Sequence, residues 1–202
     1  MLSVYQLKPL FQNSLRPLVR KLAERGVTAN QVTLAAIFLS FLTGIFVFCP
    51  WKASWPFFAV PVVLFIRMAL NAMDGMLARE HDMKSPLGAI LNELGDVFSD
   101  IFLYLPLIRL ETVSGFLVFW VLLLSVVSEM AGVLGVQIGA SRRYEGPMDK
   151  SDRALVFGVL YLILGLGATP RIWINLVLLV LLFLLGWTIW NRVKAALSEA
   201  KP

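Results

Sequence analysis

The sequence predicts an all-α integral membrane protein, with six transmembrane helices preceded by an N-terminal juxtamembrane amphipathic helix. Three observations carry this. Of 202 residues, 58% are hydrophobic, against about 45–50% in an ordinary soluble domain, and mean hydropathy is +0.78. Six mostly apolar stretches approach the roughly 20 residues that a helix needs to cross the hydrocarbon core. The apolar/polar alternation of a membrane barrel is missing from the sequence, and hydrocarbon leaves open backbone groups no other partner.

Residues 1–26 form the arm. Leu7, Leu10, Phe11, Leu15, Leu18 and Leu22 recur at helical spacing among basic residues, the pattern of a helix lying on the inner leaflet, with bends expected at Pro9 and Pro17. Gly26 ends it, and Thr28 or Asn30 caps the first span. The spans are expected at about 28–49, 56–79, 86–108, 115–140, 152–169 and 172–191, a bundle over 28–195 within one membrane domain, 1–202. Ala131, Gly132, Gly135 and Gly139 make a small-residue stripe on the fourth span, suited to the close approach of another helix. Trp51, Trp55, Trp173, Trp187 and Trp190 stand near span ends, as interfacial anchors do.

Charge sets the orientation. With both termini in the cytoplasm, only Lys52, Arg109 and Arg171 of the 18 Lys and Arg fall outside, and Arg67 lies within the second span; the rest, from Lys8 to Lys201, stay inside. The net charge of +5 therefore reads as topology and attraction to anionic lipid, with nucleic acid a poor partner. The single cysteine, Cys49, excludes an internal disulfide and a thiolate metal cluster. No cleavable signal is expected, since a long basic arm precedes the first apolar run and no small-residue cleavage site comes after a short core. His81, the one histidine, reads as solvated loop.

The second and third spans carry more polarity than a bilayer tolerates without purpose. On a helix Asn71, Asp74 and Ala78 share one side with Gly75 beside them, and Gly88, Asn92, Asp96 and Asp100 form a stripe on the next helix. A short loop brings the two stripes face to face. Oxygen ligands clustered in this way suit a hard divalent cation such as Mg2+ or Mn2+, and the small residues leave room for a phosphate-bearing ligand.

The string Asp74-Gly75-x2-Ala78-Arg79-x8-Gly88-x3-Asn92-x3-Asp96 resembles the signature of the CDP-alcohol phosphotransferase family, D-x2-D-G-x2-A-R-x8-G-x3-D-x3-D. The resemblance extends to the interfacial arm and the six spans. It implies an enzyme of phospholipid or related headgroup synthesis at the cytoplasmic face of a bacterial inner membrane. A phosphoalcohol group, expected to be phosphatidyl from CDP-diacylglycerol, passes to a hydroxyl of an acceptor alcohol or alcohol phosphate, and CMP leaves. It further implies one or two Mg2+ or Mn2+ ions at Asn71, Asp74, Asn92 and Asp96, with Asp74 a ligand and Asp96 a general base. Gly75, Ala78, Arg79 and Gly88 are implied at the donor nucleotide, and the family resemblance implies a homodimer.

Two departures qualify this reading. The first and third signature aspartates are Asn71 and Asn92, so two of four carboxylates become neutral amides, which weakens cation affinity. Asp100 and Glu129 either supply charge to the site or pair with a buried base such as Arg67; Glu93 points towards a neighbouring helix. A catalytically weakened member that binds CDP-lipid or joins active relatives is the competing function. A small transporter ranks last, because matching halves with interrupted helices are absent from the sequence.

Between the fourth and fifth spans, "SRRYEGPMDKSDRA" brings Arg142, Arg143, Lys150 and Arg153 to the side of the signature, with Ser151 expected to cap the fifth span. These four read either as inside-positive topology or as a pocket for an acceptor phosphate, with Lys150 and Arg153 favoured.

Overall fold

A computed structural model describes residues 4–200, with side chains described from Leu10 onward; Lys201, counted above as cytoplasmic, lies outside the described residues. Among them there are seven α-helices and no strand: α1 (Val4–Glu24), α2 (Ala29–Phe48), α3 (Ala59–Glu80), α4 (Pro86–Tyr104), α5 (Gly115–Gln137), α6 (Lys150–Gly165) and α7 (Ile172–Glu199). Short 3-10 turns at Trp55–Phe58 and Leu105–Arg109 lead into α3 and out of α4, each with a proline in its first turn. The segments 29–48, 55–80, 115–137 and 172–199 are long and apolar enough to cross a membrane. The other two differ for visible reasons. α4 carries Glu93, Asp96 and Asp100, and α6 has 16 residues, short of the roughly 20 that a span needs.

Local chemistry sets the boundaries. Thr28 caps α2 through a capping box with Gln31. α6 begins two residues earlier than expected because its cap is Asp149, not Ser151: the Asp149 carboxylate accepts from the Ser151 and Asp152 amides, and Asp152 reaches back to Asp149 N. This makes Lys150 the first residue of the helix. α7 runs eight residues past the expected end at 191. Arg192 and Ala196 are buried there against α5, and Arg192 also donates to Glu145 O, so contact inside the protein extends the helix where polarity alone suggests a stop.

α5 packs on α7, and α2 packs on both α3 and α4. The polar stripes of α3 and α4 do face each other, joined by Asn71 and Arg67 to Asp96 and by Asn92 to Asp74, while α2 packs closely on both helices. The main core has Tyr104 stacked on Phe157 at 3.8 Å between ring centroids, and its Leu64 borders the polar residues. α1 runs through Pro9 and Pro17 as one helix and seats Val19, Leu15 and Leu22 on α3, while Leu10 and Leu18 are exposed. Arg16 pairs with Glu80 to tie the two helices. Large apolar side chains such as Phe38, Phe65, Phe116, Leu155 and Phe183 point outward, as a lipid-facing surface requires.

The glycine stripe on α5 takes the expected helix, α7, whose Arg192 Nη1 and Ala196 Cβ would lie 3.4 and 3.5 Å from Cβ atoms added at Gly132 and Gly135, and it takes a second neighbour as well. Gly132 O accepts from Arg143 N at 3.0 Å, and a Cβ at Gly132 would stand 2.6 Å from Arg143 O. The chain's own 141–143 segment enters the notch because neither Gly132 nor Gly135 has a Cβ to keep the Arg143 and Ser141 carbonyls away, and the Arg143 amide finds an acceptor there.

α2 and α4 approach most closely at Gly44, where an added Cβ would collide with Phe102 O. Gly44→Val is therefore expected to force the two helices apart and cost about 1–3 kcal/mol. Gly186→Ala, with nothing within 4 Å of the added carbon, should leave the melting temperature in detergent unchanged or slightly higher. Equal melting of the two variants would contradict the close contact.

Candidate active site

The polar residues of α2, α3 and α4 meet at the end of the bundle that holds the start of α2, the end of α3 and the start of α4. They line a cleft of about 530 Å³. Asn71, Asp74, Gly75, Ala78 and Arg79 come from α3, Gly88 and Asn92 from α4, and Lys150 from α6. Asn30, Thr33, Lys84, Ser85 and Glu93 complete the wall. Thr33 is the addition whose role is clearest, since its hydroxyl donates to Asp74 Oδ2 at 2.7 Å. Asn30 and Thr33 stand three apart in the first turns of a mostly apolar helix, a signal present in the sequence, although at the start of a span such residues suggest only capping.

The glycines do more than leave room for a ligand. A Cβ at Gly88 would lie 2.7 Å from Asn30 Oδ1, so the missing side chain admits the Asn30 amide from α2. A Cβ at Gly75 would lie 3.1 Å from Arg79 Nη2, so the Arg79 guanidinium folds over Gly75 at the cleft wall. Both contacts hold polar groups at the rim.

Asp96 faces a second cleft. This one, about 430 Å³, opens between α3 and α6 and is apolar along Pro61, Leu64, Phe65, Met68, Leu155 and Leu162. Its polar end is Asn71, Asp96, Lys150 and Ser151. Asn71 and Lys150 line both clefts and so mark their junction. Asp96 is held from three sides: Lys150 Nζ donates to Oδ2 at 2.6 Å, Arg67 Nη2 to Oδ1 at 3.0 Å and Asn71 Nδ2 to Oδ1 at 2.9 Å. Asn92 Nδ2 reaches Asp74 Oδ2 at 3.5 Å.

Behind Asp96 lies a run of buried charge. Arg67 also donates to Asp100 Oδ1 at 2.7 Å. Arg153 donates to Asp100 Oδ2 from Nε at 3.1 Å and Nη2 at 3.0 Å, and its Nη2 also meets Glu129 Oε1 at 3.1 Å. Arg192 stands 3.4 Å and Arg142 3.3 Å from the Glu129 carboxylate. Asp100 and Glu129 thus pair with buried arginines, one of the two alternatives their sequence left open. Arg67, Asp100, Glu129, Arg153 and Arg192 are all buried. Charge at this depth is tolerated only when paired and hydrogen-bonded.

The four basic residues of the 141–154 stretch separate into different settings. Lys150 lines the clefts. Arg153 is turned wholly inward to Asp100, Glu129 and Met148 O. Arg142 bridges Glu93, on the cleft wall, to Glu129, and its guanidinium lies 4.3 Å from the Tyr144 ring centroid. Burial acts against the Arg142 cation, but the Glu93 carboxylate and Tyr144 together outweigh it and raise the Arg142 pKa above the ordinary arginine value. Arg143 binds Glu145 and Glu199, which fastens the end of α7 to the loop. Glu93 does meet a neighbour, as expected, but that neighbour is a loop arginine.

The donor set has a definite chemistry. Asp74, Asn71 and Asn92 line the first cleft with one carboxylate and two amides, and Asp96 is already held by cations. Among the described residues no group of three or more His, Cys, Asp or Glu side chains stands together for a metal. The set fits one hard cation whose coordination is completed by ligand phosphates, a common way for Mg2+ to bind.

Comparison with known proteins gives the family and the fold. The profile of the family described as CDP-alcohol phosphatidyltransferase matches residues 26–190. The chain is 47% identical over 198 residues to the inner membrane protein YnbA of Escherichia coli K12, covering 97% of each. An uncharacterized protein of Aquifex aeolicus is 30% identical over 95 residues, 47% of this chain and 46% of that one. The fold superposes on the Mycobacterium tuberculosis phosphatidylinositol phosphate synthase PgsA1 in complex with manganese and citrate. The TM-score is 0.76 at 18% identity, over 91% of this chain and 88% of that one. The same synthase with CDP-DAG bound also gives a TM-score of 0.76, over 91% and 93% of the two chains.

The inward turn of Arg153 has a measurable consequence. Arg153→Met leaves Asp100 and Glu129 short of a shared partner and is expected to cost about 3–5 kcal/mol in thermal unfolding in detergent. Arg153→Lys should recover less than half of that, because one ammonium cannot span both carboxylates as the guanidinium does. Full rescue by lysine would contradict the geometry.

Proposed function

The chain belongs to the CDP-alcohol phosphatidyltransferase family, a transferase family of phospholipid biosynthesis, and on that premise we propose that it transfers a phosphatidyl group from a CDP-linked lipid, CDP-diacylglycerol in the first instance, to a hydroxyl of an acceptor alcohol or alcohol phosphate. The observation that carries the proposal is the pair of clefts joined at Asn71 and Lys150, one polar and walled by the family signature, the other apolar. A donor with a nucleotide diphosphate at one end and acyl chains at the other matches that division. The binding of CDP-DAG by PgsA1, a protein of the same fold, supports the same donor class.

In this reading the cytidine diphosphate lies in the polar cleft along Gly75, Ala78 and Gly88, with Arg79 and Lys84 at its phosphates. The acceptor oxygen attacks the phosphorus that bears the diacylglycerol, its proton passes to Asp96, and the bond from that phosphorus to the CMP oxygen breaks. Asp96 is oriented for this by Lys150, Arg67 and Asn71. A divalent ion, Mg2+ or Mn2+, bound at Asp74 with Asn71 and Asn92, neutralises the diphosphate as charge moves to CMP. Lys150 and Arg142 stand nearest the acceptor phosphate, while Arg153 and Arg143 act from behind, holding Asp100 and the loop. The six-span reading takes α4 and α6 to cross together with the four longer apolar segments; cytoplasmic termini and a cytoplasmic site are the orientation that the charge distribution favours, and the name of the E. coli relative supports the inner membrane. A homodimer rests on the family resemblance.

A second reading, a member that binds CDP-lipid without turnover, is favoured by Asn71, Asn92 and the ion pairs on Asp96. CMP release separates the two. Purified protein in detergent, given CDP-diacylglycerol, Mn2+ and a pool of alcohols and alcohol phosphates, is expected to release CMP, and Asp96→Ala to lower the rate by at least about a hundredfold. Release unaffected by Asp96→Ala would overturn the assignment of the base. CDP-diacylglycerol binding without release, recovered when both asparagines are made aspartate, would establish the second reading instead.

A further inference from the structure

The partners of Asp96 and Asp74 differ in kind. Asp96 gives one oxygen to an ammonium and the other to a guanidinium and an amide, so all three of its partners come from the chain. A divalent ion seeking those oxygens must displace two cations that are themselves costly to leave unpaired. Asp74 meets only neutral groups, the Thr33 hydroxyl and, at 3.5 Å, the Asn92 amide. It lines the polar cleft; Asp96 does not.

The residue at 71 fits this division. A carboxylate there would stand against Asp96 at the 2.9 Å now spanned by a hydrogen bond, and two negative groups so close need a further cation between them. The amide removes that need and becomes a donor. Lys150 supplies the remaining charge, and its place is fixed by the capping box that starts α6. On the Asp74 side, one carboxylate with two amide oxygens is a thin site for a hard ion, and such sites are completed by ligand phosphates.

We infer that the Lys150 ammonium is a built-in cation at Asp96, taking the place of a second divalent ion, and that a single divalent ion enters at Asp74 only together with the diphosphate of a CDP-linked ligand. The inference rests on the proposed function, since it takes the cleft to be a CDP site. It makes metal and nucleotide binding mutually dependent: each raises the affinity of the other by the same factor.

Equilibrium dialysis of the metal-stripped wild-type protein against Mn2+, with and without excess CDP on both sides, tests this; protein-bound manganese and CDP are measured separately. Expected are no retained manganese without CDP, about one ion per chain with it, and CDP binding at least about tenfold tighter when Mn2+ is present. The variant combining Asn71→Asp, Asn92→Asp and Lys150→Met is expected to hold about two ions without nucleotide, as charge count dictates. The wild-type measurements stand whether or not that variant folds. Two ions on the wild type, or one ion held equally well without CDP, overturn the inference while leaving the CDP site intact. CDP that fails to bind in every condition overturns the reading of the cleft and the inference with it.

Discussion

Arg67 and Arg153 carry their charges into a part of the bundle with little access to water, and they are tolerable there because Asp96, Asp100 and Glu129 converge on them from α4 and α5. Such pairs add little net stability, because desolvation offsets most of the Coulombic gain, but a register that separates them leaves an uncompensated buried charge. The arrangement therefore selects among packings. α3, α4, α5 and α6 must take the rotation and depth that bring four elements onto the same few atoms. Apolar helices in lipid have no comparable means of choosing, since lipid tails are as apolar as the side chains they would replace.

The site is the exposed margin of that buried network. Asp96 shares Arg67 with Asp100, and Arg142 links Glu129 back to Glu93 on the cleft wall. The cleft-wall residues Asp96 and Glu93 are thus tied, through Arg67 and Arg142, to the buried carboxylates Asp100 and Glu129. α2 contributes differently. By packing on both α3 and α4, with Gly44 seated so close to Phe102 O that no Cβ would fit between them, it takes the closest helix contacts for itself and leaves the signature helices joined by side chains across a gap. That gap is the polar cleft. The apolar cleft lies on the other side of α3, between it and α6, and Lys150 stands where the two meet.

Replacing two signature carboxylates by amides changes the electrostatics without emptying the geometry. Asn71 and Asn92 keep an oxygen each for a hard cation and gain an NH2 that carboxylates lack, and in the structure those NH2 groups point to Asp96 and Asp74. Removing the negative charges lowers the amount that must be neutralised, and Lys150 and Arg67 then suffice at Asp96. The same spacing of polar groups therefore carries less negative charge, and at Asp96 that charge is met by cations of the chain.

The sequence by itself determined the helical fold class, the expected helix stretches after a basic arm, and which side chains stand together on α3 and on α4. Helical periodicity and the length of an apolar run are local properties, legible wherever a segment is long and regular. It also showed that Asp100 and Glu129 need either a ligand or a buried base. Tertiary structure alone decided between these, since Arg153 and Arg192 come from α6 and α7 and their approach depends on packing across the bundle. It alone showed that Asn30 and Thr33 line the cleft, that Asp149 rather than Ser151 starts α6, and that Gly132 receives the chain's own 141–143 segment. Each of these is a contact between residues distant in sequence or a competition between neighbouring caps, and its outcome is set by which polar groups the fold leaves without water.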